Sequence, residues 1–361
     1  MNDNFFLMKG NEAIAESALR AGCRFYAGYP ITPQSEILEY MSDHMAEHGG
    51  TFIQGESEIA SMSMLWGAAA CGERVMTSSS GPGYDLKQEG FSYLSSYRLP
   101  AVVVDVQRYG LGDGEITEGQ DGYWMATKAS GHGDSRQIVL CPASVQECAD
   151  LTYESFDIAE KYRTQVIILS DGGISQMIEK VVFKDPVEPD NMKFDWAITG
   201  HKEKDAPKVK VTNLDRSMPY DEYDKLVKAT YKEMYDNEQR WEEMMTEDAE
   251  MILVAIGISS RVCKSAVRQA RAEGIKLGLI RPITAWPFPK KAFDKIPACC
   301  KALATVEMSL SAQMAQDVIL ASKNRIPMYS LLTSKYVATP QQVVDYCKRV
   351  LAGEEEELEV Y

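Results

Sequence analysis

The stretch from Phe52 to Gly83, "FIQGESEIASMSMLWGAAACGERVMTSSSGPG", decides the fold. Its run of small and apolar residues is typical of a buried helix, and the "RVMTSS" that follows is typical of a buried strand. Two carboxylates, Glu56 and Glu58, stand at the start of the predicted helix. A buried carboxylate is unfavourable unless it is paired or hydrogen-bonded, so both are candidate functional groups.

Strands and helices alternate on both sides of this stretch. Strands are predicted at "CRFYAGYP", "LPAVVVDVQ", "QIVLCP" and "TQVIILSDGG", with helical segments between them. The nearly continuous apolar run "LPAVVVDVQ" is typical of a parallel sheet that is covered on both faces. The pattern predicts a doubly wound α/β domain over residues 1–184.

The composition changes near residue 185. Residues 185–248 are rich in charge and proline, and we interpret them as a connecting arm that ends in a long polar helix over about residues 221–246. From "AEMILVAIG" onward the α/β alternation resumes. We therefore predict a second, smaller α/β domain over residues 249–361.

Charge and hydropathy exclude several classes of protein. The formal net charge is −15, from 38 basic and 53 acidic residues, which argues against a nucleic-acid-binding surface. No apolar run approaches the roughly 18 residues of a membrane span. The first residues lack the basic and then apolar order of a secretory signal. We expect a cytoplasmic protein with no membrane segment.

The cysteine and glycine patterns do not predict a metal site. The eight cysteines contain no C-x-x-C spacing, so we expect buried free thiols rather than zinc or iron–sulfur ligands. Gly112-Asp113-Gly114 matches the opening of a magnesium–diphosphate signature, but the asparagine that should complete it is missing; the next one, Asn191, is too distant. Asp171 has the same asparagine downstream, in the charged arm.

Two further polar residues follow predicted strands, where open α/β sheets bind ligands. Thr32 is predicted as the N-cap of a helix with Pro33 at its first position, and it is either a simple cap or part of an anion site. Arg108 ends the apolar strand, and it is either a salt-bridged edge residue or a clamp for a carboxylate.

Seven motifs, in this order, carry a resemblance to a known family: "GYPITPQSE", "IQGESEIASM", "SSSGPG", "VQR", "GHGDSRQIVLCPASVQE", "RPITAWPFP" and "VEMSLSAQM". Together they resemble the alpha subunit of 2-oxoacid:ferredoxin oxidoreductases, most closely the branched-chain (2-oxoisovalerate, or 3-methyl-2-oxobutanoate) type. The resemblance runs from Met8 to about Arg349. It implies a thiamine-diphosphate pyrimidine-type domain followed by a transketolase-C-terminal-like domain.

The resemblance also implies an activity and site residues. The reaction is the oxidative decarboxylation of a 2-oxoacid with coenzyme A, which yields acyl-CoA, CO₂ and reduced ferredoxin. Glu58 matches the glutamate that hydrogen-bonds N1′ of the cofactor's aminopyrimidine and favours its imino tautomer. Thr32 and Arg108 match the residues that hold the substrate carboxylate. Glu56 is expected to be a first-turn carboxylate stabilised by the helix dipole.

Partner chains are implied as well. A beta subunit would share the thiamine diphosphate and carry its Mg²⁺ and a [4Fe-4S] cluster, and gamma and delta-type, ferredoxin-like subunits would complete the complex. Metal sites are therefore expected on partner subunits only, with coenzyme A as co-substrate and ferredoxin as electron acceptor.

The sequence leaves alternatives open for the substrate and for the activity. Relatives of this type usually read Gly-Gly-Pro after the arginine, whereas this chain reads Tyr109-Gly110-Leu111. The acid-rich stretch 109–136 favours a neutral, apolar acyl group over 2-oxoglutarate. A 2-oxoglutarate or pyruvate oxidoreductase, a non-catalytic scaffolding subunit and a nucleotide-binding dehydrogenase remain as alternatives.

Overall fold

The computed structural model describes residues 5–128, 131–188, 194–200 and 218–359. Its helices are α1 (Gly10–Arg20), α2 (Ser35–His44), α3 (Glu58–Ala70), α4 (Pro82–Leu86), α5 (Gln88–Tyr97), α6 (Tyr123–Thr127), α7 (Val145–Tyr162), α8 (Gly172–Gln176), α9 (Tyr220–Asn237), α10 (Gly257–Ala272), α11 (Ala315–Ser322) and α12 (Pro340–Ala352). Its strands are β1 (Phe6–Lys9), β2 (Phe25–Gly28), β3 (Thr51–Gln54), β4 (Val75–Ser79), β5 (Ala101–Gln107), β6 (Ile138–Leu140), β7 (Gln165–Asp171), β8 (Ile178–Val181), β9 (Trp241–Met244), β10 (Met251–Val254), β11 (Leu277–Pro282), β12 (Thr284–Trp286), β13 (Ala302–Glu307) and β14 (Met328–Leu332). None of the described helices is both long enough and apolar enough to span a membrane.

The larger sheet has seven strands in the order β12-β6-β7-β5-β4-β2-β3. Every neighbouring pair from β6 to β3 is parallel. All residues of the central strand β5 are buried, as expected for a strand that is covered on both faces. The predicted doubly wound α/β domain is confirmed.

The second sheet has five strands in the order β14-β13-β10-β11-β9. Its strands are parallel apart from β9, which pairs antiparallel with β11. Helices α10 and α12 contribute apolar side chains to the cluster that packs against this sheet. The second α/β unit expected from the sequence is therefore present.

The long polar helix ends earlier than the sequence pattern predicts. Helix α9 ends at Asn237, and Trp241–Met244 forms the strand β9. The prediction of a helix up to residue 246 is wrong, because pairing with β11 satisfies the backbone groups of this segment instead. The rest of the predicted arm, at residues 189–193 and 201–217, lies outside the described residues.

The two α/β units are joined by one strand that crosses to the larger sheet and by buried polar contacts. Strand β12 follows β11 in the chain but pairs antiparallel with β6, at the edge of the larger sheet. Arg281, at 1% exposure, bonds Glu147 of α7 at 2.8 Å. Tyr123 donates a 2.7 Å hydrogen bond to Asp317 of α11. These contacts hold the second unit against β6, α7 and the segment that follows β5.

All eight cysteines are free thiols. Five of them are buried, as predicted, but Cys71 and Cys299 are exposed and Cys300 is partly exposed. Cys71 escapes burial because α3 ends at Ala70 and the chain turns at the surface.

Candidate functional site

Four consecutive strands of the larger sheet end at one edge. Strands β2, β3, β4 and β5 are parallel neighbours, so their carboxyl ends meet there. The segments that follow them contain Thr32, Glu58, the Gly81–Gly83 turn and Arg108, respectively. The strand order reverses between β3 and β4, on either side of β2, which makes this edge a topological switch point.

Glu58 is the first residue of α3 and is 5% exposed. The preceding Ser57 caps the helix by accepting a 3.2 Å hydrogen bond from the backbone N–H of Ala60. Within the described part of the chain, the Glu58 carboxylate accepts no hydrogen bond. A buried carboxylate without a partner is a candidate for binding a ligand, because ligand contacts would offset its desolvation.

Glu56 lies outside the helix and is exposed. The expectation that it is a first-turn carboxylate is wrong, because Ser57 takes the N-cap position and the helix begins one residue later, at Glu58. The two carboxylates therefore differ sharply in burial, and only Glu58 has the environment of a functional group.

The turn after β4 leaves room beside Glu58 because it contains glycine. A Cβ built on Gly83 would clash with Oε1 of Glu58 and lie 2.5 Å from Oγ of Ser79. The buried hydroxyls of Ser79 and Ser80 have no hydrogen-bond partner among the described residues. This turn fails the glycine pattern of a phosphate loop, but close approach is the physical reason for its glycines.

Arg108 and Thr32 are brought together at this edge. The guanidinium of Arg108 donates to the backbone oxygen of Thr32 at 3.0 Å and to that of Asp113 at 2.6 Å. Its Nε is buried and has no partner among the described residues. A Cβ built on Gly81 would lie 2.8 Å from this Nε, so the glycine turn also makes space for the arginine. Arg108 is thus held by backbone carbonyls rather than by an edge carboxylate.

Thr32 is not a helix N-cap. It lies in an exposed turn, and α2 begins at Ser35 with Gln34 at the cap position. The prediction is wrong because the residues after β2 first form a turn, in which the backbone oxygen of Thr32 is used by Arg108. Thr32 therefore reaches the site through this backbone contact.

The loop after Arg108 folds back on itself. The backbone oxygen of Tyr109 accepts from Glu115 N–H at 2.8 Å, and Gly110 N–H donates to the carboxylate of Asp121 at 2.8 Å. Leu111 is 86% exposed at the tip of the loop. In this chain Tyr109-Gly110-Leu111 therefore presents an apolar side chain at the surface beside the site.

Sequence reasoning missed the buried ionisable groups behind the glycine turn. Lys87 is fully buried, and its Nζ donates to Thr77 Oγ1 at 2.9 Å. Burial lowers the pKa of Lys87 to about 7, and the nearby Glu58 charge opposes that shift. The signal was available, because Lys87 shares a helical face with the apolar Phe91 and Leu94.

Asp105 of β5 is also buried, at 2% exposure, and one of its carboxylate oxygens has no partner among the described residues. Burial is the main cause that raises its pKa well above the usual range, with a contribution from Asp85. Two buried polar side chains, Lys87 and Asp105, therefore lie behind the edge of the sheet that forms the site.

Asp171 is engaged in structural hydrogen bonds. Its carboxylate accepts from the N–H groups of Ile174 and Ile258 at 2.9 and 2.8 Å, and from the side chain of Gln120 at 3.2 Å. Asn191, its hypothetical metal-binding partner, lies outside the described residues. No group of three or more histidine, cysteine or acidic side chains within the described ranges is arranged to hold a metal ion.

Two family descriptions match this chain. Residues 16–252 match the thiamine-diphosphate-binding domain of pyruvate flavodoxin/ferredoxin oxidoreductases. Residues 249–340 match core domain II of pyruvate:ferredoxin oxidoreductase.

Curated relatives cover most of the chain. The ketoisovalerate oxidoreductase subunit VorB of Methanothermobacter marburgensis is 48% identical over 316 residues, which span 88% of this chain and 89% of the relative. The 2-oxoglutarate synthase subunit KorA of Methanocaldococcus jannaschii is 37% identical, across 88% of this chain and 94% of the relative.

Solved structures share the fold. The 2-oxoglutarate:ferredoxin oxidoreductase from Magnetococcus marinus, with 2-oxoglutarate, coenzyme A and succinyl-CoA bound, superposes with a TM-score of 0.81 at 26% identity. The match covers 96% of this chain but 65% of the solved chain. A split-gene transketolase superposes with a TM-score of 0.61 at 13% identity, which is a likeness of fold alone. From the matched domains and relatives together, this chain belongs to the 2-oxoacid:ferredoxin oxidoreductase family and is a subunit with the family's thiamine-diphosphate-binding domain.

Proposed function

We propose that this chain is the alpha subunit of an oxidoreductase that decarboxylates a branched-chain 2-oxoacid, transfers the acyl group to coenzyme A and reduces ferredoxin. The observation that carries the proposal is the buried carboxylate of Glu58, which has no hydrogen-bond partner among the described residues and lies at the same sheet edge as Arg108. One group is suited to the cofactor and the other to the substrate. Coenzyme A is bound in the solved 2-oxoglutarate oxidoreductase, which supports the same acyl acceptor here.

The residues present fit the pyrimidine half of thiamine diphosphate. Glu58 offers a carboxylate in a space that Gly83 keeps open. The hydroxyl of Ser79, which has no hydrogen-bond partner among the described residues, borders this space. When bound, thiamine diphosphate supplies the nucleophilic carbon that attacks the 2-oxo group. Glu58 would share a proton with N1′ of the pyrimidine, since a buried carboxylate beside an open space can hydrogen-bond a ring nitrogen that lies there.

Arg108 is suited to the substrate carboxylate. Backbone carbonyls of Thr32 and Asp113 orient its guanidinium, and its Nε remains without a partner among the described residues. A guanidinium that is held from behind can offer its remaining N–H groups to a carboxylate in a fixed direction. Thr32 would therefore act mainly by positioning Arg108.

The charges around the loop favour a substrate with one carboxylate. The distal carboxylate of 2-oxoglutarate would need a second cation. Lys128 is paired with Asp317 at 2.5 Å, and Arg136 lines a different cleft together with His132 and residues of α5 and α9. The 48% identity to a ketoisovalerate oxidoreductase subunit, against 37% for a 2-oxoglutarate synthase subunit, supports the same preference.

Apolar side chains at the site edge support a partner chain. Ile59, Leu86, Leu111 and Ile116 are 49%, 49%, 86% and 67% exposed. Ile59 directly follows Glu58, and Leu86 directly precedes Lys87. We infer that a beta subunit covers this edge, completes the cofactor site and carries the Mg²⁺ and a [4Fe-4S] cluster, within a complex that also holds gamma and delta-type subunits.

The first prediction concerns Glu58. Glu58→Gln in the assembled complex should lower turnover by roughly 10²-fold or more, the usual scale for losing acid–base assistance. Glu56→Gln is the matched control, because Glu56 is exposed and two residues away. Steady-state rates of 2-oxoacid-dependent ferredoxin reduction decide the matter, and near-normal turnover of Glu58→Gln would refute the assignment.

The second prediction concerns the space beside Glu58. Gly83→Ala should weaken thiamine diphosphate binding by about tenfold or more, because the new Cβ clashes with Glu58 and Ser79 and must displace them. Gly67→Ala is the control, since nothing lies within 4 Å of a Cβ built there. Cofactor affinity can be measured by isothermal titration calorimetry, and equal affinities of the two variants would contradict this geometry.

The third prediction concerns substrate choice. 2-Oxoisovalerate should have a higher kcat/KM than 2-oxoglutarate, because a second carboxylate near an acid of the stretch 109–136 meets repulsion of about 4 kcal/mol at 4 Å and an effective dielectric of 20. Pyruvate and an aryl pyruvate complete the series and separate the size of the acyl group from its charge. A higher kcat/KM for 2-oxoglutarate would show that another cation reaches the pocket.

A further inference from the structure

Lys87 is a buried lysine that the proposed reaction does not use. It is 0% exposed, at the junction between α4 and α5, and its Nζ makes a 2.9 Å hydrogen bond to the neutral hydroxyl of Thr77. Lysines are almost never fully buried unless they are paired with a charge. One hydroxyl is a weak compensation for burying an ammonium group, so the position of Lys87 requires another explanation.

The fold places the buried side chains of Lys87 and Glu58 near the same segment of β4. Thr77 and Ser79 are two residues apart on one face of β4, about 6–7 Å from each other. Thr77 holds Lys87, and Ser79 borders Glu58 and Gly83. Both side chains therefore lie over the same short segment of strand.

Helix packing gives the same placement independently. Helices α3 and α5 approach closely where Gly90 meets Met62, since a Cβ built on Gly90 would lie 2.8 Å from Met62. Glu58 precedes Met62 by one turn of α3, and Lys87 precedes Gly90 by about one turn at the start of α5. The beginnings of the two helices thus face each other.

The ionisable groups on the elements around Lys87 are Glu58 on α3, Tyr84 and Asp85 on α4, and Asp105 on β5. The charge of Glu58 opposes the lowering of the Lys87 pKa by burial. Burial, with contributions from Asp105 and Asp85, raises the pKa of Tyr84. Thr77 on β4 contributes a hydroxyl. Glu58 is therefore the acid whose charge favours the charged form of Lys87.

We propose that Lys87 is a positioning residue that sets the charge of the pocket in which Glu58 meets the pyrimidine of thiamine diphosphate. This inference rests on the proposed function. While Lys87 is charged, the pair of Lys87 and Glu58 is neutral and holds one proton, which is available to the contact between Glu58 and N1′. Once Lys87 has lost its proton, the pair carries one negative charge, and binding the pyrimidine requires the uptake of a proton from solvent.

The direction of the pH effect follows from the acidity of Lys87. Burial lowers the pKa of Lys87 to about 7, so the pair loses its proton as the pH rises through neutrality. Proton uptake on cofactor binding should therefore rise from pH 6 to pH 8, by up to about 0.8 proton for one fully coupled group. Affinity should decline over the same range.

The experiment measures the protons taken up when thiamine diphosphate with Mg²⁺ binds the assembled complex, with no 2-oxoacid present. Isothermal titration calorimetry in buffers of different ionisation enthalpy gives this number at each pH. Lys87→Met removes the charge and keeps the length of the side chain. It should therefore abolish the increase in proton uptake between pH 6 and pH 8 that is due to Lys87. The titration of the cofactor's own phosphate is common to both proteins and cancels in the difference.

Controls separate the possible outcomes. Lys225→Met removes an exposed lysine, which is paired with Asp221 at 3.3 Å, and should leave the wild-type profile unchanged. If Lys87→Met does not assemble, Thr77→Val provides the test. Losing the hydroxyl that accepts from Lys87 should lower the pKa of the lysine, so the rise in proton uptake should begin at a lower pH. The inference is overturned if proton uptake in Lys87→Met depends on pH as it does in the wild type. It is also overturned if the rise in proton uptake stays at the wild-type pH in Thr77→Val.

Glu58→Gln distinguishes a failure of this inference from a failure of the proposed function. If Glu58→Gln alters affinity and proton uptake while Lys87→Met matches the wild type, only the role of Lys87 is wrong. If Glu58→Gln also matches the wild type, Glu58 does not meet the pyrimidine and both proposals fail.

Discussion

The site depends on the parallel pairing of four strands. Because β2, β3, β4 and β5 all run in the same direction, the four segments that follow them meet at one edge of the sheet. Residues as far apart in the chain as Thr32 and Arg108 thereby become neighbours. A change of register in any one of these strands would move its segment relative to the other three and would turn its buried face outward.

The same edge concentrates buried ionisable groups, whose desolvation is unfavourable for folding unless they serve a ligand. Glu58, Lys87 and Asp105 are each at most 5% exposed, and they offset one another only in part. The glycine turn after β4 makes this arrangement possible, since larger residues at 81 and 83 would collide with Arg108 and Glu58. Such a concentration of incompletely satisfied polar groups is typical of a functional site rather than of a structural core.

Three features could be predicted from the sequence, because they depend on local periodicity and on parallel topology. They are the alternation of strands and helices, the burial of Glu58, and the nearness of Thr32 and Arg108 to the same edge of the sheet. The predictions of an N-cap at Thr32 and of a helical position for Glu56 were wrong, because the backbone geometry at a helix start can shift the cap by one or two residues. The burial of Lys87 was missed although Lys87 shares a helical face with Phe91 and Leu94, because a lysine at the start of a helix is usually exposed. The strand β12 was missed because it pairs with a sheet about 140 residues earlier in the chain.

A structure of the assembled complex with thiamine diphosphate bound would show directly whether Glu58 holds the pyrimidine. We expect a carboxylate oxygen of Glu58 within about 3 Å of N1′ of the pyrimidine, a hydrogen-bond distance, with the ring over the Gly83 turn. We also expect Arg108 to face the open side of the cofactor, where a 2-oxoacid would bind. A pyrimidine held by a glutamate of another chain, with Glu58 still closed off behind Gly83, would contradict the role proposed for Glu58.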